Sequence, residues 1–208
     1  MLLIDRYADR IERDEDGTAT LALRKPAKTA EGEVGFLTLR RPTLDDIVAQ
    51  RKQPGDEFDQ VAWLIARIGG VTVQALDRID GEDSLVLSEL VAGYLDRLPG
   101  SDRYVGDLPD RYAARITWHD DGATFVLRAP LATHEGEVAT VTLRRPTFKE
   151  MRTNRDASAG NVAASAKLLS ILSGIGPLTL GKIDALDGLI LSAVLSRFLG
   201  NFPETGAA

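Results

Sequence analysis

The stretch LRRPT stands at residues 39–43 of the sequence and again at residues 143–147. Its leucine suits the end of a strand, and its proline lacks the N–H group that would continue a β-ladder. Thr43 can then accept a hydrogen bond from the first turn of a following helix. In the second copy Thr147 has Glu150 at the capping-box position. Each LRRPT is therefore predicted to switch the chain from a strand to a helix.

The repetition extends far beyond these five residues. From Glu31 onwards the chain aligns with itself at a constant offset of 104 residues, as Leu76 with Leu180 shows. This period is about twice the upper limit for solenoid repeats, so it indicates the duplication of a unit of domain size. A stretch rich in Pro, Gly and Asp separates the copies. We therefore expect a first repeat at 1–100, a connector at 101–109 and a second repeat at 110–208.

Within each repeat the pattern predicts strands first and helices afterwards. Asp-Gly pairs at 16–17 and 121–122 suit tight hairpin turns, and residues of β-branched or alternating character flank them. Apolar residues then recur at helical spacing, for example over 61–68 and 85–98. We predict an α+β fold of two homologous repeats, each a small antiparallel β-meander followed by two or three α-helices.

Composition restricts the classes of function. The chain has 31 acidic and 25 basic residues, a net charge of -6 and no cysteine. Its acidity disfavours general binding to nucleic acid, and the absence of cysteine excludes disulfides and thiol nucleophiles. The apolar start of the sequence is too short for a signal peptide or a membrane span. We expect a cytoplasmic protein that binds neither membranes nor nucleic acid.

The polar residues do not form a catalytic pattern. The two histidines, His119 and His134, have no counterparts in the first repeat and are interpreted as surface residues. The stretch 174–177 follows an apolar helix and lacks the Lys-Ser/Thr of a P-loop, so we expect it to end one helix and begin the next. Acids spaced by three residues fit helix caps better than a metal site. These acids are Asp80 with Asp83, and Asp184 with Asp187. We predict no enzymatic activity, no cofactor and no metal.

Candidate binding residues come from surplus apolar surface and from the repeated arginines. Apolar residues over 167–180 spread around more of a helix than one buried stripe needs, so either the other repeat or an external partner covers them. Trp63 breaks the symmetry of the repeats, because Lys167 takes the equivalent position. The arginines are interpreted either as solvated strand ends paired with acids such as Glu33 and Glu137, or as contacts for an acidic partner. The candidates are Leu168, Leu169, Ile171, Leu172, Ile175, Trp63, Arg40, Arg41, Arg144 and Arg145.

The order of these motifs resembles the phage tail assembly chaperone family of Mu-like tailed phages. The resemblance rests on a meander ending in TLRRPT, an apolar helix ending in glycine, and LDRIDGED or LGKIDALD opening a final helix. It covers most of each copy, although the family resembles one such unit and this chain has two. The resemblance implies a protein that coats the hydrophobic tape-measure protein in the host cytoplasm and brings tail-tube subunits to it, without a cofactor.

The tandem fusion leaves a second hypothesis open. A related structural component of the tail or baseplate would stay in the mature particle, where the duplication would imitate a dimer. Under either hypothesis the partners are the tape-measure protein and tail-tube or baseplate proteins. Association of the chain into a homo-oligomer is left open as well.

Overall fold

The computed structural model describes residues 2–29, 32–96, 110–154 and 162–198. The chain forms two compact units. Unit 1 comprises Met1–Pro42 and Ala49–Ser101, and unit 2 comprises Thr43–Val48 and Asp102–Ala208. Residues 43–48, which lie within the expected first repeat, belong to unit 2. The expected connector at 101–109 lies outside the described residues.

Unit 1 is a three-stranded antiparallel sheet followed by helices. The sheet has the order β1-β2-β3, and the turn between its first two strands contains Gly17 at a positive φ of 84°. A left-handed backbone of this kind favours glycine, as the Asp-Gly pair predicts. The elements of the first repeat are α1 (Leu3–Arg6), β1 (Ile11–Arg13), β2 (Ala19–Thr29), β3 (Gly32–Leu39), α2 (Leu44–Gln50), α3 (Glu57–Gly69), α4 (Val73–Leu76) and α5 (Gly81–Tyr94).

Unit 2 has the same architecture, with a sheet of order β4-β5-β6. Its elements are α6 (Asp110–Ala113), β4 (Ile116–His119), β5 (Gly122–Thr133), β6 (Gly136–Arg144), α7 (Phe148–Thr153), α8 (Val162–Ser173), α9 (Pro177–Leu180) and α10 (Ala185–Phe198). The helices α4 and α5 recur as α9 and α10 at the offset of 104 residues. The predicted α+β fold of two repeats is therefore confirmed.

The core of each unit lies between one face of its sheet and its longer helices. In unit 2, Val141 and Leu143 on β6 are buried while Thr142 between them is exposed, as the alternation of a strand requires. Phe125 pairs with Val141 across the sheet and is buried as well. Leu168 and other apolar residues of α8 and α10 cover this face.

An ion pair that the sequence analysis did not identify holds the first strand region of each unit to its last long helix. Asp83 on α5 accepts hydrogen bonds from the Arg10 side chain at 2.5 Å and from the Arg24 N–H at 2.8 Å. In unit 2, Asp187 on α10 binds Arg115 at 2.7 Å and the N–H of Arg128 at 2.6 Å. Burial raises the pKa of Asp187, and these two donors oppose that effect. The two buried carboxylates therefore have a structural role beyond the helix-capping role predicted for them.

The LRRPT stretches form the predicted switches. Strand β3 ends at Leu39, and the side chain of Thr43 accepts a hydrogen bond from the N–H of Asp46 in α2. Thr147 and Glu150 form a complete capping box at the start of α7. The second switch is reinforced by Arg144, whose guanidinium binds both carboxylate oxygens of Glu150, at 2.5 and 2.9 Å. Both helices thus begin at fixed positions directly after their sheets.

Candidate protein-binding site

Three of the candidate binding residues lie in the core of unit 2. Leu168 and Leu169 on α8 are 0% exposed, and Leu172 is 3% exposed. The surplus of apolar residues that suggested a binding face is largely explained by the sheet and α10, which pack on two sides of this helix. The expectation of accessible leucines is corrected accordingly, because these side chains are enclosed by their own unit.

Apolar side chains remain accessible where α8 ends and α9 begins. Ile171 is 40% exposed and Leu178 is 82% exposed, while Ile175 between them is partly buried. Gly174 ends α8 at a positive φ of 72°, and Pro177 begins α9, so the predicted role of this glycine-rich turn is confirmed. We call Ile171, Ile175 and Leu178 the junction surface.

The junction surface is specific to unit 2. The equivalent positions of unit 1 are Arg67, Val71 and Gln74. Arg67 lies over the ring of Trp63 at 5.4 Å and covers part of that candidate. One duplicated scaffold therefore presents an apolar surface in unit 2 and a more polar one in unit 1.

The arginine pairs are used mainly within their own units. Arg144 forms its ion pair with Glu150, so the expected partner Glu137 is corrected. Its neighbour Arg145 lies over the ring of Phe198 at 5.9 Å. In unit 1, Arg41 lies over the ring of Tyr94 at 5.1 Å. Arg40 donates a hydrogen bond to the carbonyl oxygen of Arg41. These contacts fix strand ends, and a binding role for the arginines stays a prediction.

Unit 2 contains an apolar groove that is filled by the segment 43–48. Leu44 is 1% exposed there, and its N–H donates to the carbonyl oxygen of Ile183 at 3.0 Å. A Cβ atom on Gly188 would lie only 2.8 Å from the Leu44 side chain, so glycine provides the space that Leu44 occupies. The Asp45 N–H donates to the carbonyl oxygen of Gly181 at 3.0 Å. A short helix start thus docks by the Leu44 side chain, with Val48 packed against the same core, and by two backbone hydrogen bonds.

Unit 1 has an open groove at the equivalent position. Its volume is about 180 Å³, and α3, α4 and α5 form its walls. The residues that line it include Val61, Ile65, Leu76, Ile79, Ser84 and Leu87. Four of these correspond to residues of the filled groove, since Leu76, Ile79, Ser84 and Leu87 align with Leu180, Ile183, Gly188 and Leu191. The same apolar site is therefore filled in one unit and open in the other.

Helix α7 is the counterpart of α2, the helix that fills the groove, but α7 begins with an exposed residue. Phe148 at the start of α7 aligns with Leu44, yet it is 76% exposed. Its neighbour Lys149 aligns with Asp45, and Met151 aligns with Ile47. Unit 2 therefore presents a short amphipathic helix with an accessible aromatic ring.

The described residues do not bring catalytic groups together. His119 is exposed and hydrogen-bonds Thr124 at 3.1 Å, and His134 lies on the surface near Glu135. Over the described ranges, no group of three or more His, Cys, Asp or Glu side chains has the geometry of a metal site. Nor is any helix among them both long enough and apolar enough to span a membrane.

Comparison with known protein families gives a clear match. The family model described as "Phage tail assembly chaperone proteins, E, or 41 or 14" matches the chain twice, at residues 20–96 and at residues 124–200. Each match begins in the second strand of a repeat and extends through its last long helix, so both matches cover the grooves described above. No curated protein and no solved structure is significantly similar to this chain.

Proposed function

Because the chain belongs to the phage tail assembly chaperone family, we propose that it binds the tape-measure protein and keeps its apolar helices soluble while the tail tube assembles. The observation that carries this proposal is the junction surface of unit 2, where Ile171 and Leu178 expose apolar side chains. An amphipathic helix of the client would cover them. The chaperone leaves when tube subunits take its place, so it is absent from the finished particle.

The physical properties of the junction surface suit reversible capture. Its side chains lie in and on both sides of the turn between α8 and α9, which Gly174 and Pro177 define, so little ordering is required before a client binds. The surface is small, and contact with a few apolar side chains supports binding weak enough to be displaced. Displacement by tube subunits then needs no nucleotide.

The first test is a binding assay with the tape-measure protein of the same phage. Replacing both Ile171 and Leu178 by Asp should weaken co-purification of that protein about tenfold or more, because each apolar contact is replaced by a charge that must be desolvated. The matched control is Gln74→Asp, which places a charge at the position of unit 1 that corresponds to Leu178. Circular dichroism should be native-like for all variants. Unchanged binding by the double variant would overturn the assignment of the junction surface.

The second test separates an assembly factor from a component of the tail. We expect mass spectrometry of purified particles to detect the tape-measure protein and not this chain. Detection of the chain at a fixed copy number in mature particles would contradict the chaperone proposal. It would instead support the alternative, a structural component of the tail or baseplate.

A further inference from the structure

We propose that the open groove of unit 1 is a docking site for a second copy of this chain, and that helix α7 of the second copy fills it through Phe148. The basis is the filled groove of unit 2, which shows how this fold binds such a helix. There Leu44, the first residue of its helix, is enclosed by the residues that follow α9. Phe148 is the residue equivalent to Leu44, and in this chain it is exposed. One chain thus carries one open groove and one exposed helix that matches it.

The apolar part of the contact is compatible with this pairing. The open groove is lined by Val61, Ile65, Leu76 and Leu87, and its volume of about 180 Å³ admits a large side chain. It is not identical to the filled groove, because Ser84 replaces Gly188 and adds a side chain where Leu44 would lie. Phe148 therefore cannot occupy the Leu44 position unchanged, and its planar ring must lie beside the Ser84 side chain, along the apolar wall of the groove.

The charged residue next to the docking side chain distinguishes α2 from α7. In unit 2 the carboxylate of Asp45 lies against Gly181, so closely that a Cβ atom there would clash with it. The residue of unit 1 that corresponds to Gly181 is Asp77, which lines the open groove. An acid at the position of Asp45 would therefore meet Asp77 and be repelled. Helix α7 has Lys149 at that position, and the same geometry would place its ammonium group beside the Asp77 carboxylate.

The arrangement has a consequence for assembly. The groove belongs to unit 1 and helix α7 to unit 2, so the contact joins two different surfaces. Contacts between unlike surfaces link subunits head to tail and produce rings or open filaments. Each added copy also carries one junction surface, and a row of such surfaces suits a long client. The self-association itself does not rest on client binding.

The experiment is sedimentation velocity of the full-length chain over a range of concentrations, without a client. The wild-type chain should form species larger than a monomer as its concentration rises. Phe148→Asp should raise the dissociation constant about a hundredfold, because it removes the buried anchor. Lys149→Glu should raise it about tenfold, since an attraction becomes a repulsion. Leu178→Asp is the matched control, and it should associate like the wild type.

A charge exchange separates the specific contact from a general loss of folding. Asp77→Lys alone should weaken association about as much as Lys149→Glu, and the chain with both changes should return to within about threefold of the wild type. Equimolar Phe148→Asp and Ser84→Trp chains should be monomeric separately and form a two-chain species when mixed, because one retains the groove and the other retains the helix.

Three results would overturn the proposal. They are a wild-type chain that stays monomeric at all concentrations, a Phe148→Asp chain that associates like the wild type, and a charge-exchanged chain no tighter than its single variants. Client binding by the monomeric Phe148→Asp chain would show separately whether the junction surface works. Failure of the self-association and failure of the proposed function are therefore distinguishable.

Discussion

Units 1 and 2 share a fold and differ in what occupies one groove. In both, a buried aspartate on the last long helix binds an arginine from the first strand region, at 2.5 Å in unit 1 and 2.7 Å in unit 2. In unit 2 the groove encloses Leu44, whereas in unit 1 the equivalent groove is open. Because both units have this ion pair, we infer that the fold requires it. Because the groove is filled only in unit 2, the groove of unit 1 is accessible to a binding partner.

The first prediction concerns the buried aspartate–arginine ion pair that both units share. Asp83→Ala and Asp187→Ala should each destabilise the chain by about 3 to 5 kcal/mol, because each removes one partner of a buried ion pair and leaves an arginine without its carboxylate. Urea unfolding followed by circular dichroism measures both. A large cost in one unit with almost none in the other would show that the ion pair is not a common requirement of the fold.

The second prediction concerns the groove, which is filled in unit 2 and open in unit 1. Leu44→Ala should cost about 3 kcal/mol, because it opens a cavity in the filled groove. Phe148→Ala should change the free energy of unfolding by less than about 0.5 kcal/mol when measured on dilute monomer, because the ring is exposed. Equal costs at the two positions would contradict the contrast between a filled and an open groove.

The third prediction tests the same contrast by changing a residue of the groove instead of the side chain that fills it. Gly188→Ala should cost about 1 to 2 kcal/mol, since its methyl group would lie 2.8 Å from the Leu44 side chain. At the equivalent position of unit 1, Ser84→Ala should be within about 0.5 kcal/mol of neutral. Combining Gly188→Ala with Leu44→Ala should recover part of the cost, because the smaller side chain relieves the collision. If the costs of the two changes simply add, the strain caused by Gly188→Ala does not come from the contact with Leu44.

The smallest effect concerns the start of α7. The Arg144 guanidinium and the Thr147 N–H lower the pKa of Glu150 to about 2. A carboxylate with a lowered pKa stabilises the folded state above its ordinary pKa of 4.5, and this contribution is lost as the pH falls towards 2. Wild type should therefore be more stable than Glu150→Gln at pH 7, and the difference should shrink steadily below pH 4.5. A difference independent of pH would contradict the role of the charge.

Much of the fold could be predicted from the sequence. The offset of 104 residues revealed the duplication, and the LRRPT switches placed the boundary between strands and helices in both repeats. These features are local, so turn chemistry and periodicity determine them. The predicted strands end within a residue of the observed ones, at Leu39 and Arg144.

The parts that were missed depend on packing between distant residues. The apolar face of α2 is visible in the sequence, but periodicity does not say which unit receives Leu44. Asp83 fits a helix cap, and its burial against Arg10 is not a local property. A usable signal existed, however. Arg10 and Arg115 repeat together with Asp83 and Asp187, and a repeated pair of opposite charges indicates a contact.

The most direct test of the account uses engineered disulfides, because the chain has no cysteine. Thr43 and Asp184 form an isolated antiparallel bridge, and such pairs have Cα separations that suit a disulfide. Oxidised Thr43→Cys/Asp184→Cys chains should run as single chains on a non-reducing gel. The equivalent variant, Thr147→Cys/Asp80→Cys, should form disulfide-linked dimers and larger species. Failure of the first variant to oxidise within one chain, or single-chain closure of the second, would contradict a groove filled in one unit and open to another copy in the other.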